Sequence, residues 1–522
     1  MADERNVAGS SESSADQTDV YAIHGADPEV LAYAMARYSR SALTLKESLR
    51  EISAQRAEQF LNTFYFQYGH RSIADLAHIP MAIERLSLLA AIALVDEQRW
   101  DGQERSTRYQ DFRRSGWYTP QLGDEAQAYT TAITALFAGY DRVGQGMLTA
   151  LKSAIARPDE MKPDAYERTL KARAFDVARY LLPLATNTSL GQIVNARTLE
   201  TQVSRLLTSG FAEIRMLGEK LRAAASEPAW NVQHEGFRDY MTDLDEMKRR
   251  EGRELLLREV KAAPTLVKYA VANEYQRETR ALLVQAAAEL MGDAAIAPAP
   301  VVDLINGDEP IEVELATSLL YTECHYGYRQ LRDAVAAAGA ARCTEIIELG
   351  TRHRGRHDEL LRAFHVGAAL KFDILMDIGG FRDMHRHRRC TQLLQGFTDL
   401  HGYETPDAPG QPTLVEAGLD AEYGAAMDAA FVAYRRLKGS SVAEAGESAQ
   451  YCLPLGTRCR SMFKMDFAEA HYISELRSGV AGHYSYRRVA WEMFEAVRRQ
   501  HPGLAGLFRI EDVREPVDLL RR

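Results

Sequence analysis

Arginine and histidine crowd into one short segment, Phe381-Arg382-Asp383-Met384-His385-Arg386-His387-Arg388-Arg389. Guanidinium forks bind phosphate oxygens in pairs, and imidazole can donate a hydrogen bond or stack. The segment therefore suits the phosphate of a nucleotide or the pyrophosphate of a flavin. Two other readings stay open on these residues alone: a solvated basic face, and a metal cluster formed with His353, His357 and His365. A metal site normally adds a carboxylate or thiolate in register with its histidines. The His353/His357 pair sits instead among arginines that would repel a cation, so no metal is expected.

Three further stretches carry groups of the same chemical kind. Gln103-Glu104-Arg105-Ser106-Thr107-Arg108-Tyr109 alternates acceptor, hydroxyl and guanidinium groups. That set suits a nucleotide, with Arg and Ser on phosphate oxygens and Glu or Gln on sugar or base edges; a charged loop is the other reading. Ala178-Arg179, Leu182-Pro183, Asn195-Ala196-Arg197 and Arg205 form the next set. Arg197 and Arg205 lie about two helical turns apart and share a face, which could line an anion pocket or meet solvent. In Gly69-His70-Arg71-Ser72-Ile73-Ala74-Asp75, Ser72 is placed near a helix N-cap with Asp75 three positions on, in the manner of a capping box.

The elements that must position these residues read as mostly helical. Ala, Leu, Arg and Glu dominate, and apolar residues recur at three and four from Leu199 to Leu221. Strand-like stretches are few and short, so the expected class is α+β, helix-rich. An internal repeat organises them. Asp19–Gly25 reads as a strand leading into a helix start at Asp27-Pro28-Glu29-Val30, and Pro300–Gly307 leads likewise into Glu309-Pro310-Ile311. Later, Leu182-Pro183-Leu184 is matched by Leu453-Pro454-Leu455 in the same order. The expected organisation is a disordered tail over 1–20, a first domain over 21–293, a linker over 294–300 and a second domain over 301–522.

A chain of 522 residues is too long for one core. Its net charge of −10 makes it a poor general binder of nucleic acid, so any polyanion must meet a local basic cluster. The 5 cysteines all follow residue 320 and form no CxxC pair, which fits a reducing cytoplasm better than a disulfide framework. Met1–Val20 lacks the pattern of a signal peptide, and the apolar run Leu86–Val95 is too short to span a bilayer. A cytoplasmic protein without a membrane partner is expected.

Taken together, the motifs resemble the flavin-dependent thymidylate synthases, whose signature reads RHRxxSxxxxSxR with flanking GHxS, ARxxLP and NAR segments. The first half is similar to the flanking pieces (Gly69-His70-Arg71-Ser72 with Asp75; Ala178-Arg179; Leu182-Pro183; Asn195-Ala196-Arg197; Arg205) and to the end of the signature at Gln103–Tyr109. Where RHR should stand it has Asp96-Glu97-Gln98. The second half supplies Arg386-His387-Arg388 but has Leu393-Leu394-Gln395-Gly396 in place of the Glu and Ser. It keeps Leu453-Pro454 and Arg477, with Gln450 and Asp466-Phe467-Ala468 where the family has Arg and Asn-Ala-Arg.

The resemblance implies two tandem domains like the thymidylate-synthase-complementing proteins. It implies FAD as cofactor, NADPH and methylenetetrahydrofolate as co-substrates, and conversion of dUMP to dTMP. Carried over by position, Glu104, Ser106, Arg108, Arg179 and Arg386 would contact dUMP. Arg205 and Arg477 would serve catalysis near the pyrimidine. Ser39, His70, Ser72, Asp75, Asn195, Arg197, His387 and Arg388 would hold the flavin. Each copy keeps the part of the signature that the other lacks, so a composite site between repeats is expected, in a homodimer that imitates the family's tetramer. The same divided motif leaves open a catalytically inactive descendant that binds flavin or nucleotide in a regulatory or assembly role.

Overall fold

The computed structural model describes residues 21–51 apart from 22, 24, 40 and 42, then 71–97, 99–232, 234–242, 244–256, 259–268, 270–273, 277, 300–304, 310–321, 328–352, 360, 362–365 and 369–520. The expected tail over 1–20, most of the linker, His70, His353 and His357 lie outside these residues. Two compact units are present: residues 1–78 with 224–268, and residues 79–223 with 269–522.

The smaller unit is helical, with helices Pro28–Ala36, Leu45–Glu51, His234–Thr242 and Glu246–Leu256. Pro28 opens its helix at the first turn, where its missing N–H costs nothing. Buried Glu29 accepts the backbone N–H groups of Thr265 and Leu266 at 2.8 and 2.7 Å. Among the described residues of the strand expected at 19–25, Tyr21, Ile23 and Gly25 are not in a strand.

The larger unit contains β1 (His78–Ser87), α1 (Leu88–Val95), β2 (Asp101–Glu104), α2 (Ala126–Ala154), α3 (Pro163–Ala178), β3 (Asn187–Asn195), α4 (Ala196–Leu207) and α5 (Ala212–Ser226) from the first half of the chain. The second half supplies β4 (Val302–Leu304), α6 (Ile311–Tyr321), α7 (Tyr328–Ala338), α8 (Ala340–Thr351), β5 (Leu370–Asp377), α9 (Ile378–Met384), β6 (Thr391–Leu394), α10 (Asp420–Lys438), β7 (Arg458–Met465), α11 (Phe467–Ser478) and α12 (Tyr484–Gln500). The first half forms a sheet in the order β1-β3-β2 and the second half one in the order β4-β5-β7-β6. The fold is α+β and helix-rich, as its composition implied. The apolar run before Val95 is α1, a short buried helix capped by Ser87, whose side chain accepts from Ala90 N. No described helix is long and apolar enough to cross a membrane.

The two Leu-Pro-Leu echoes meet in space. Leu184 N donates to Leu453 O at 2.8 Å, and Leu455 N returns to Leu182 O at 2.9 Å. Ala185 N donates to Tyr451 O, and Gly456 N to Tyr180 O. Pro183 and Pro454 face each other as an antiparallel bridge. Every bond has its partner under exchange of the two repeats, so this seam lies on a local two-fold axis. The same equivalence runs outward. Leu88 and Leu89 donate to Thr186 and Leu184, as Ile378 and Gly379 donate to Thr457 and Leu455. Tyr129 and Tyr423 each donate a hydroxyl at 2.6 Å, to Tyr118 O and Glu404 O.

The long helices α2 and α10 pack against each other across this axis. Gly139 permits the approach, since a Cβ there would lie 3.2 Å from Leu181 and 3.5 Å from Ala426. Leu181, Leu182, Leu184, Leu453 and Leu455 are all fully buried in one continuous core. At about 1.5–3 kcal/mol for each fully buried large apolar side chain, this core joins the repeats firmly.

Candidate functional site

Two segments bring the charged side chains together. The first follows α3, where a single 3₁₀ turn, Arg179–Leu181, directs Arg179 into the interior. The second is α9, capped by Asp377, whose carboxylate accepts Gly380 N at 2.6 Å. Glycine disfavours a helix, but here it makes room. A Cβ on Gly380 would sit 2.6 Å from Ser485 Oγ, and one on Gly379 3.5 Å from Arg179 Nη2. Gly380 thus leaves room for Ser485 to reach the Asp377 cap, while Arg179 passes Gly379 at a distance that a Cβ would also permit.

Arg179 is 1% exposed and donates Nη1 to Asp383 of α9 at 3.2 Å. One residue away, Arg382 forms an ion pair with Glu104 from the end of β2. The two parts of the divided signature therefore meet within one chain, with the Glu104 loop of the first repeat against the approach to Arg386-His387-Arg388 of the second. The register explains why each part is single. Arg105 N bonds Ser189 O, as Gln395 N bonds Arg460 O. Leu394 and Gly396 thus occupy the places of Glu104 and Ser106.

Around this seam the arginines outnumber the carboxylates. Burial works to raise the Asp383 carboxyl, but Arg179, Arg108, Arg386 and Arg477 together hold it below its usual range. Arg386 itself is exposed. Arg388 lies 4.3 Å over the Trp100 ring; burial, with Arg386 beside it, pushes its pKa down to about 10. His387 is buried and accepts a hydrogen bond from Arg477 Nε at 2.7 Å on its Nε2. Burial, aided by Arg477 and Arg388, pushes its pKa down to about 3, so the ring is neutral with its proton on Nδ1.

Three guanidinium groups here have buried N–H donors without an acceptor: Arg179 at Nε and Nη2, Arg382 at Nε and Arg388 at Nε. Buried donors are nearly always paired, and an unpaired one costs about 1–3 kcal/mol. Unspent guanidinium donors gathered in this way are what an anion would satisfy.

The other expected site residues are placed differently. Arg108 is engaged at all three nitrogens: Nε and Nη2 grip Asp176 at 2.8 and 3.3 Å, Nη1 donates to Tyr486 Oη at 2.8 Å, and Nη2 also reaches Ala481 O. Ser106 Oγ accepts from Arg108 N and stays within its own turn. Asn195 caps α4 by accepting from Thr198 N, and Arg197 follows it half-buried. Arg205 pairs with Glu97 at 2.9 Å. Arg477 stands one residue further from the α11 cap Asp466 than Arg205 does from Asn195, about 100° around equivalent helices. Ser39 ends the 3₁₀ turn Arg37–Ser39, and Asp75 lies half-buried in the turn Arg71–Leu76, both in the smaller unit. The side chain of Ser72 falls outside the described residues.

Sequence reading missed Asp176, Asp383, Arg382, Tyr486 and Trp100 as site residues. Arg382 and Asp383 stand inside the basic segment, yet only their placement against Glu104 and Arg179 shows what they do. Asp176 sits one helical turn before Arg179, a spacing too common to be a signal.

The family model for thymidylate synthase complementing protein matches residues 22–228 and again 333–503. The chain belongs to this family. It carries the thymidylate synthase complementing fold twice, in tandem. Similar full-length proteins exist. A UPF0159 protein of Chlamydia muridarum is 27% identical, covering 94% of this chain and 91% of its own length. One of Chlamydia pneumoniae is 26% identical over 97% and 93%, and one of Thermoplasma acidophilum 25% identical over 92% and 94%. A family named for thymidylate synthesis implies a nucleotide substrate.

Proposed function

We propose that the protein is a FAD-dependent thymidylate synthase-like methyltransferase, which converts dUMP to dTMP at a composite site between its repeats. The observation that carries this reading is the set of buried, acceptor-less N–H groups on Arg179, Arg382 and Arg388 at the place where the divided signature rejoins. Arg179, Arg382 and the exposed Arg386 would bind the phosphate. Glu104, tied to Arg382, would be in reach of the sugar or base. Arg477, oriented by neutral His387, would stabilise negative charge on the pyrimidine as the base is activated. His387 and Arg388 would hold FAD, for which the buried Arg388 Nε offers an unused donor. When bound, FAD would carry electrons from NADPH that reduce the methylene group, donated by methylenetetrahydrofolate, to a methyl group. A homodimer in the cytoplasm would supply the remaining flavin contacts.

One observation favours a second reading. Asp176 takes Nε and Nη2 of Arg108, Tyr486 takes its Nη1, and Asp383 takes Nη1 of Arg179, so two arginines expected on dUMP already face carboxylates. A non-catalytic descendant that binds nucleotide or flavin would tolerate this.

The experiment is direct. The purified protein is examined for a flavin spectrum, reduced anaerobically, and mixed with dUMP and methylenetetrahydrofolate while flavin reoxidation and dTMP are followed. Formation of dTMP supports the enzyme. Nucleotide or flavin binding without turnover supports the second reading. Protein that takes up neither FAD nor dUMP contradicts both.

A further inference from the structure

A cavity of about 390 Å³ opens beside the first turns of α12, and none of Arg179, Arg382 and Arg388 is among its lining residues. Its body is apolar and aromatic, with Leu375, Met376, Tyr484 and Trp491 among its walls. Its polar groups are of both signs. Arg487 and Arg488 come from α12, Asp407 from the loop before α10, and Glu492 from the next turn of α12. This size and mixture fit a small-molecule site.

Arg487 is the group that asks for a ligand. It is 4% exposed. Its Nε donates to Ser478 O at 2.8 Å, but its buried Nη2 has no acceptor. The other repeat provides an internal control. Arg215 is the fourth residue of α5, as Arg487 is of α12. The second residue of each helix bonds the equivalent cap, Glu213 to Ser87 and Ser485 to Asp377. Yet Arg215 meets acceptors at both ends, with Nη1 on the carbonyls of Ser209 and Gly210 and Nη2 on Glu444 at 3.4 Å. The unmet donor therefore distinguishes Arg487 from its counterpart Arg215 in the first repeat. The N-terminus of the 17-residue α12 adds attraction for negative charge at the same end. Asp407 and Glu492 form no ion pair with another described residue.

We propose that this cavity binds a small zwitterion with an apolar or aromatic body, its acidic group on Arg487 and its amino group on the carboxylate of Asp407. The site is independent of the nucleotide reading.

Isothermal titration of the full chain tests this with four probes: phenylalanine, leucine, 3-phenylpropionate and phenethylamine. The last two are phenylalanine without its amino group and without its carboxylate. Phenylalanine or leucine is expected to bind, and phenylalanine at least about tenfold more tightly than either single-charge analogue. Arg487→Gln is expected to weaken that binding at least about tenfold, and Asp407→Asn several-fold. Asp407 is exposed, so its variant keeps the fold and the test stands even if Arg487→Gln destabilises the protein. Absence of heat with both amino acids, equal binding of 3-phenylpropionate, or unchanged affinity in the Asp407→Asn variant would overturn the proposal.

Discussion

Arg179 of the first repeat donates Nη1 to Asp383 of the second at 3.2 Å, and keeps two buried N–H groups unused. The pair joins the repeats and leaves binding capacity at the join. Arg179→Met should lower both stability and binding. It leaves Asp383 without its hydrogen-bonded partner, with Arg108, Arg386 and Arg477 still offsetting part of that charge. Removing one partner of a buried ion pair costs about 3–5 kcal/mol, and the remaining arginines put the expected loss at the lower end of that range in urea titrations. On the folded variant, dUMP affinity should fall at least about tenfold in calorimetry. Unaltered dUMP binding would remove Arg179 from the nucleotide site.

The neutral His387 ring gives stability a defined pH dependence. Its folded pKa of about 3 lies below the unfolded value, so the unfolded chain takes up a proton first as pH falls. Its contribution is complete above about pH 6.5 and is lost progressively from there towards pH 3, by a few kcal/mol. Asp377 acts in the opposite sense. Burial raises its pKa to about 6, so the folded state binds the proton first and gains stability as pH falls from about 6 towards 4. His387→Gln should flatten the acid side of a stability-against-pH curve, and Asp377→Asn should steepen it. A wild-type and His387→Gln pair of curves that run parallel from pH 6.5 to 3 would contradict the assignment.

The two repeats solve one capping problem with reversed polarity. Ser87 Oγ donates to Glu213 at 2.6 Å, whereas Ser485 Oγ donates to Asp377. Ser87→Asp alone sets two buried carboxylates against each other and is expected to cost about 3 kcal/mol or more. The double variant Ser87→Asp with Glu213→Ser copies the second repeat and should recover most of that loss, with a coupling of about 0.5–3 kcal/mol in a double-mutant cycle. Strictly additive losses would show that the two caps are not equivalent.

Gly456 holds the place on the seam in the second repeat that Ala185 holds in the first. A Cβ on Gly456 would sit 2.9 Å from Tyr423 Oη and 3.2 Å from Tyr180 O. Gly456→Ala is expected to destabilise by about 1–3 kcal/mol through overpacking, read as a lower urea midpoint at unchanged slope. The Ala185→Gly change at the equivalent position creates no clash, so its cost should be the smaller of the two.

Much of this protein is written locally. Asn195 and Asp466 cap equivalent helices because a short side-chain acceptor at a helix start satisfies a backbone N–H wherever it falls. Pro28 marks a helix start for a similarly local reason. Apolar spacing made most of the chain helical, and the repeated Leu-Pro-Leu announced a duplication that the family match bears out. What no local pattern could decide is which charges meet. Arg382 and Glu104 are 278 residues apart, Arg179 and Asp383 are 204, and Arg108 finds Asp176 at 68 and Tyr486 at 378. A guanidinium group in a motif reads the same whether a carboxylate or a ligand will occupy it. The two-fold seam, through the long-range packing of its leucines, brings the two halves of the signature together and determines which arginines keep their donors unspent.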